Sequence, residues 1–388
     1  MYTFRCLNNI SGVGLKHFTG DYKQVGESDK SDAILVRSAK LNDMEFDSDL
    51  KCIARAGAGV NNIPLDRCAE QGIVVFNTPG ANANGVKELV IAGMLLASRD
   101  IIGGIEWLEQ QENTDDLAKR VEKQKKQYAG CEIAGKKLGI IGLGAIGVMV
   151  ANAAVSLGME VYGYDPYVSL HAAWNLSSQI KYVKDLDEIY STCDFITIHV
   201  PLNDGTRGMI SADGFTKMKD GVVLLNFARN GLVDEDALVE ALKSGKVKKY
   251  VTDFVTPKIE GIPNTIITPH LGASTKESED NCAVMAAHEL MDYIENGNIK
   301  NSVNFPDASL PQSGDYRLCV LHKNEPGIVA KLATVVADEK LNIANMINKS
   351  KGEYAYTIIE INGSLPKTSV EKVASLDNII RTRVIEKA

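Results

Sequence analysis

With 388 residues the chain is too long for one ordinary core, and its 45% hydrophobic and 24% charged content is that of a globular protein, which excludes a disordered or collagen-like polymer. A net charge of −8 argues against global attraction to nucleic acid or an anionic membrane, so an anionic ligand has to meet locally placed cations. The apolar run from Leu89 to Ala97 is far short of the roughly 18 residues a bilayer span needs; residues 1–6 lack the pattern of an export signal; and seven scattered cysteines, never spaced C-x-x-C, fit a reducing cytoplasm better than disulfides or structural zinc.

In chain order, short apolar runs at 33–36, 52–55 and 73–76 alternate with helix-like stretches and predict a small parallel α/β unit reaching to about residue 95. A helix is expected over 86–99, and the polar stretch 109–126 reads as a crossover into a second domain. Strands are then expected at 138–141, 160–164, 195–200, 222–226, 250–254 and 265–268 with helices between several of them, a doubly wound parallel sheet. Residues 276–295 predict one long helix, broken by turn formers over 296–306, and a linker runs over 306–314. The last segment, 315–388, passes through strand, helix, strand, strand, helix and strand, the ferredoxin-like order.

Residues 138–147 run Leu-Gly-Ile-Ile-Gly-Leu-Gly-Ala-Ile-Gly, a strand entering G-x-G-x-x-G and then a small-residue helix. Gly142 permits the tight turn, Gly144 lets the backbone approach a pyrophosphate, Gly147 lets helix pack on strand, and Ala145 and Ile146 open the helix whose N-terminus stabilises the anion. Asp165 ends the next strand, 18 residues after Gly147, where a carboxylate bonds ribose hydroxyls. No cation follows in Pro166-Tyr167-Val168 to accept a 2′-phosphate, so NAD is expected over NADP.

Four further stretches, 55–63 (Arg-Ala-Gly-Ala-Gly-Val-Asn-Asn-Ile), 77–80 (Asn-Thr-Pro-Gly), 225–234 (Leu-Asn-Phe-Ala-Arg-Asn-Gly-Leu-Val-Asp) and 268–274 (Thr-Pro-His-Leu-Gly-Ala-Ser), make the chain similar to the D-isomer-specific 2-hydroxyacid dehydrogenases over essentially its whole length. Within that family it most resembles the members that act on a phosphorylated glycerate. The resemblance implies two Rossmann-like doubly wound domains plus a C-terminal ferredoxin-like domain of the ACT type. A discontinuous substrate domain would comprise 1–95 and 275–305, an NAD domain 96–274, and the ACT domain 315–388, with the active site in the cleft between the first two. The implied activity is NAD-dependent oxidation of 3-phospho-D-glycerate to 3-phosphohydroxypyruvate and its reverse, the first step of L-serine biosynthesis.

The chemistry of the residues agrees. Hydride removal from a secondary alcohol needs a group to take the hydroxyl proton and a cation to hold the carboxylate. His270 and Arg229 can fill those roles, since an imidazole can pass a proton in either direction and a guanidinium grips a carboxylate bidentately. By resemblance, Ala228, Asp253 and Gly272 line the nicotinamide, and His199, Val200, Pro201 and Thr206 the adenosine and pyrophosphate. One departure stands out: the family glutamate five residues after the aspartate at 253, which orients the histidine, is replaced by Lys258, whose cation would lower a neighbouring histidine's pKa. For the substrate, Arg37, Ser38, Lys40 and Arg55, with the backbone of Ala58 and Gly59, are the matching positions, and free N–H groups at such a turn can hold an anion.

In the C-terminal segment, His322, Asn324 and Asn342 match positions that bind L-serine between paired ACT domains, implying feedback inhibition and a homodimer or homotetramer. Alternatives are a glycerate- or lactate-type relative, or an NAD-sensing regulator of the same fold. The basic run 119–126 has no aromatic platform and reads as a solvated helix face. His288-Glu289 starts a zinc-protease-like pattern but lacks the second histidine at 292, so no metal is expected.

Overall fold

The computed structural model describes residues 1–387. They form two compact units, Met1–Asn82 with the chain from Lys276 onward, and Ala83–Thr275.

The first unit holds a parallel sheet of β1 (Tyr2–Leu7), β2 (Tyr22–Gln24), β3 (Ala33–Val36), β4 (Cys52–Arg55) and β5 (Val74–Phe76), in the order β2-β1-β3-β4-β5. Every residue of β3 and β5 is buried, as expected of parallel strands covered on both faces. One face packs Ile34, Val36, Ile53 and Val75 against Leu41 and Leu50. The other packs Leu35, Ala54 and Phe76 against Ala283, Ala286 and Leu290 of the helix Lys276–Met291. The first two strands had no counterpart in the sequence reading. Arg5 interrupts the apolar pattern of β1, yet it is buried, and its Nη1 donates to the carbonyls of Glu27 and Asp29 at 3.2 and 2.9 Å.

The second unit carries β6 (Lys137–Ile141), β7 (Glu160–Tyr164), β8 (Lys181–Tyr182), β9 (Phe195–Ile198), β10 (Val222–Asn226), β11 (Val247–Thr252) and β12 (Thr265–Ile267). They form an all-parallel sheet in the order β12-β11-β10-β9-β6-β7-β8. The expected strands are all present, within a few residues of their predicted ends. The helix Ala83–Ser98 lies wholly in this unit, where Val86, Val90 and Met94 share a core with Leu225 and Val251. The chain thus passes between units after Asn82 and after Thr275, rather than near 95 and in the polar stretch 109–126. That stretch instead contributes to the helices Ile101–Glu109 and Leu117–Gln124.

The C-terminal segment forms an antiparallel sheet of β13 (Tyr316–Lys323), β14 (Asn342–Lys351), β15 (Tyr354–Asn362) and β16 (Ile379–Glu386), ordered β14-β15-β13-β16 as in ferredoxin-like folds. Alternation along β13 gives it two apolar faces. Leu318 and Val320 meet the helices Ile328–Asp338 and Lys367–Ala374. Cys319 and Leu321, with Tyr356 and Ile358, enter the same core as Phe76, Tyr293 and Phe305. The expected linker over 306–314 therefore does not release a separate body; the sheet is part of the first unit. Arg317 fastens the junction, donating from Nε to Glu360 Oε1 at 2.5 Å and from Nη2 to the Leu310 carbonyl at 2.5 Å. Arg383 donates to the carbonyls of Tyr293 and Ile294 at 3.2 and 2.7 Å and lies over the Tyr293 ring.

All seven cysteines are free; Cys6 and Cys131 are partly exposed and the other five buried. Among the described residues no helix is long and apolar enough to cross a membrane, and no cluster of three potential metal ligands occurs.

Candidate active site

Pairing in the second unit aligns Tyr164, Ile141, Ile198, Asn226, Thr252 and Ile267, the last residues of six strands. Whatever follows those strands emerges along one edge of the sheet, at the carboxyl ends where open α/β sheets bind ligands. Gly142, Asp165, His199, Ala228, Arg229, Asp253 and His270 all lie within three residues of such an end.

At β6, Gly142 takes φ +98°, and a Cβ there would fall 2.6 Å from the His199 carbonyl oxygen, so only glycine fits. Gly144 precedes the helix Ala145–Ser156 without any side-chain cap. A Cβ on Gly144 would meet nothing within 4 Å, which leaves a cradle over uncapped N–H groups. Asp165 is drawn to this turn, its Oδ2 accepting from the Leu143 N–H and its Oδ1 from the Tyr167 N–H, each at 2.8 Å. Each carboxylate oxygen keeps a further lone pair for a hydroxyl donor.

After β9, His199 Nε2 lies 3.0 Å from Thr197 Oγ1, while Nδ1 is buried without a partner. Burial pushes the ring down to about 3, so it is neutral near pH 7. The loop beyond it is closed by Thr206, whose Oγ1 donates to the Pro201 carbonyl at 2.6 Å and accepts from the Asn203 N–H at 2.9 Å. Val200 is half-buried beside Gly142.

The turn after β10 depends on a residue to which the sequence reading assigned no role. Asn226 is buried; its Nδ2 donates to the Arg229 carbonyl at 2.9 Å and its Oδ1 accepts from the Ala228 N–H at 3.2 Å. An asparagine that ends a buried strand and begins a turn is the available signal. Arg229 itself is exposed, with Nη1 donating to the Ala228 carbonyl at 2.7 Å.

Asp253 follows β11 and is 3% exposed. Its Oδ2 accepts from the Gly272 N–H at 3.3 Å, and its Oδ1 has no partner. Burial raises this acid's pKa, against the opposing fields of His270 and Arg229. His270 is exposed and stands edge-on to Phe254, ring centroids 4.7 Å apart. The structure thus brings Asp253, Gly272, His270, Ala228 and Arg229 to one edge. Lys258 pairs with a surface carboxylate. Its Nζ lies 2.7 Å from both carboxylate oxygens of Asp236, in solvent, and that pair raises its pKa.

In the first unit, Arg37 and Ser38 follow β3 and Arg55 ends β4, directly opposite Val36. Arg55 Nε donates to the Arg37 carbonyl at 3.1 Å, and Arg37 Nη2 lies 2.7 Å from Glu279 Oε1. Asn8, left-handed at φ 80°, accepts from the N–H groups of Ser38 and Ala39 at 3.0 and 2.6 Å. Asn77 Nδ2 donates to the Ala58 carbonyl at 2.6 Å, while the N–H groups of Ala58 and Gly59 donate to no other described backbone group. Lys40 is exposed on the same loop as Ser38.

The three residues expected to hold serine do not converge within the chain. His322 is buried, with Nδ1 2.7 Å from the Lys323 carbonyl and Nε2 2.9 Å from Thr357 Oγ1, so both ring nitrogens are occupied. Asn324 donates to the Gly352 carbonyl at 3.1 Å. Asn342 is exposed and pairs with Asn362, whereas His322 pairs with Ala355, at the opposite end of β15.

Comparison with known proteins follows the same lines. Residues 91–272 match the family described as D-isomer specific 2-hydroxyacid dehydrogenase, NAD binding domain. D-3-phosphoglycerate dehydrogenase of Haemophilus influenzae is 34% identical over 340 residues, covering 84% of this chain and 79% of that protein. Among solved structures, NAD+-bound 3-phosphoglycerate dehydrogenase of Entamoeba histolytica is 26% identical with a TM-score of 0.58, covering 78% of this chain and 98% of that one. Glyoxylate reductase of Paecilomyes thermophila is also 26% identical, with a TM-score of 0.64 and the same coverage.

Proposed function

The chain belongs to the D-isomer specific 2-hydroxyacid dehydrogenases, NAD-dependent oxidoreductases, and we propose that within this family it interconverts 3-phospho-D-glycerate and 3-phosphohydroxypyruvate. The observation that carries this reading is the single sheet edge on which the glycine turn, Asp165, Arg229, Asp253 and His270 emerge together. The cradle at Gly144 and the uncapped helix start suit a pyrophosphate, Asp165 a ribose diol, and the unpartnered Asp253 Oδ1 an amide donor such as a carboxamide. NAD bound there supplies a hydride acceptor.

Arg229 holds the substrate carboxylate and the oxygen that becomes a carbonyl. His270 takes the hydroxyl proton in oxidation and returns it in reduction. The edge of Phe254 restricts the imidazole ring, and Asp253 is the carboxylate whose field it shares. Lys258, at the family's glutamate position, is committed to Asp236 instead.

Arg37, Arg55 and the free Ala58 and Gly59 N–H groups supply the local cations and donors that an anionic substrate needs on an acidic protein; Ser38 and Lys40 add a hydroxyl and a further cation. The test is NADH oxidation with 3-phosphohydroxypyruvate beside unphosphorylated hydroxypyruvate. At least tenfold higher kcat/KM for the phosphorylated acid, about 1.4 kcal/mol, is expected; equal values would overturn the choice of substrate.

We further propose regulation by L-serine in a homo-oligomer, with the C-terminal sheet as an ACT module. Because Asn324 and Asn342 lie at opposite ends of the sheet and β14 is an exposed edge, a serine site would draw on two copies paired through β14. The exposed face of Ile101, Ile102, Ile105 and Leu108 on one helix supports self-association through the second unit as well. Calorimetry with L-serine on the parent and on Asn342→Ala tests the first point, and sedimentation the second. Seven unpaired cysteines support a reducing, cytoplasmic location.

A further inference from the structure

We propose that the first unit carries a binding site for a small apolar α-amino acid, built around Glu289 and independent of the dehydrogenase residues. A cavity of about 470 Å³ opens beside the helix Lys276–Met291. Val284, Met285 and Glu289 line it from the helix, Ala81 from the loop after β5, and Lys300 and Asn301 from the segment beyond the helix. All of them lie in one compact unit.

The feature that calls for a ligand is Glu289. It is 9% exposed; Oε1 accepts from Asn301 Nδ2 at 2.7 Å, and Oε2 is buried with no partner. Asn301 makes that bond from a left-handed backbone, φ 59°, which asparagine tolerates better than most residues. A glutamine would satisfy the same bond without the cost of burying an ionisable group, so the bond to Asn301 does not account for the carboxyl.

Three walls define what would complete the site. Glu289 Oε2 lacks a donor, and a cationic donor would relieve the desolvation of its charged form. Val284, Met285 and Ala81 offer apolar contact to a short side chain. Lys300, whose nearest carboxylate is Asp292 at 3.6 Å, offers a cation to a carboxylate. An amine alone leaves Lys300 unanswered, and a carboxylic acid alone meets Glu289 with the wrong charge. A zwitterion with a small apolar side chain answers all three.

Binding should be linked to pH. Burial, and secondarily the negative charge of Asp307, pushes Glu289 up to about 8. His288, hydrogen-bonded to His17 at 3.0 Å, and Lys300 also line the cavity. In the free protein Glu289 is therefore protonated at neutral pH, and seating an ammonium on it releases a proton. Between pH 8.5 and 6.5 the affinity should fall roughly 25-fold, following the ionised fraction of an acid titrating near 8.

The experiment is isothermal titration of the full chain with L-valine at both pH values, beside isobutylamine and isovalerate, which lack the carboxylate and the ammonium respectively. Saturable binding of L-valine is expected, at least about tenfold tighter than either analogue. Glu289→Gln should weaken it at least tenfold while NADH affinity is kept and Tm at pH 6.5 does not fall. Lys300→Gln, an exposed change that does not threaten folding, should weaken it several-fold. Absence of L-valine binding, or equal affinity in the parent and both variants, would overturn the proposal. Loss of binding in Asn342→Ala, with Glu289→Gln unaffected, would overturn it too and move the amino-acid site to the C-terminal sheet.

Discussion

Replacing Arg317 with methionine tests whether the C-terminal sheet is built into the first unit or hangs from it. The Arg317 and Glu360 side chains are 1% and 0% exposed. Glu360 Oε2 also accepts from the N–H groups of Ser313 and Gly314 at 2.9 and 2.8 Å. Arg317 donates to the carbonyls of Asn296 and Leu310, and to Asn298 Oδ1 at 3.3 Å. Methionine keeps most of the volume but strands a buried carboxylate and two carbonyls, a loss of about 3–5 kcal/mol for the broken pair. For a cooperative unit of this size each kcal/mol lowers Tm by roughly 2–4 °C, so a drop of roughly 10 °C is expected. In differential scanning calorimetry it should appear in the transition of the whole first unit, while NADH affinity, a property of the second, holds. Adding Glu360→Met should recover a large part of the loss, since the buried charge leaves with its partner. A loss below about 1 kcal/mol, or a new low-temperature transition with the main one unmoved, would refute the reasoning and describe a tethered module.

Asp165→Ala should weaken NADH binding at least tenfold, about 1.4 kcal/mol, in fluorescence titration, because it removes a ribose acceptor and loosens the Leu143 turn together; an unchanged Kd would dissociate Asp165 from the nucleotide. His270→Ala should lower kcat by about two to four decades, and a loss under about threefold would send the proton elsewhere. Lys258→Gln should leave the pH dependence of kcat/KM in place, since the ammonium is solvated and paired with Asp236; a falling limb displaced upward would put Lys258 in the field of His270, because a cation there lowers the imidazole pKa. Glu289→Gln should gain stability over the parent as pH rises. The parent's acid is raised from 4.5 to about 8, so its contribution is intact below about 4.5 and lost as pH climbs through about 8, by about 5 kcal/mol at most. A stability difference between the two proteins that does not vary from pH 5 to 9 would show that Glu289 is already ionised.

The nucleotide-binding sheet could be read from the chain because its signals are local. β9 and β10 are short, wholly buried and almost entirely apolar, and Gly142 and Gly147 stand where the backbone admits little else. Roles that rest on long-range partners were hidden. Arg5, Arg317 and Arg383 look like surface charges in sequence, yet each is answered by main-chain carbonyls brought in by folding. Those arginines occupy strand positions where alternation alone suggests solvent, so neither β1 nor the docking of β13 and β16 shows in the apolar pattern. Lys258 shows the same limit at the site. Its spacing from Asp253 matches the family position, but Asp236, 22 residues earlier, determines where the ammonium goes. The dependence of the Arg229 turn on Asn226 could have been inferred from an asparagine ending a buried strand.

The distribution of thiols turns the protein into its own labelling substrate. A maleimide reacts with thiolate, and burial pushes Cys52, Cys68 and Cys193 up to about 12, out of reach at neutral pH. Cys6 is held near 11 for the same reason. Cys131, partly exposed in the nucleotide-binding unit, is left as the site that a brief, substoichiometric reaction modifies first. A dye placed there without any engineered residue would mark the nucleotide-binding unit of the unaltered protein.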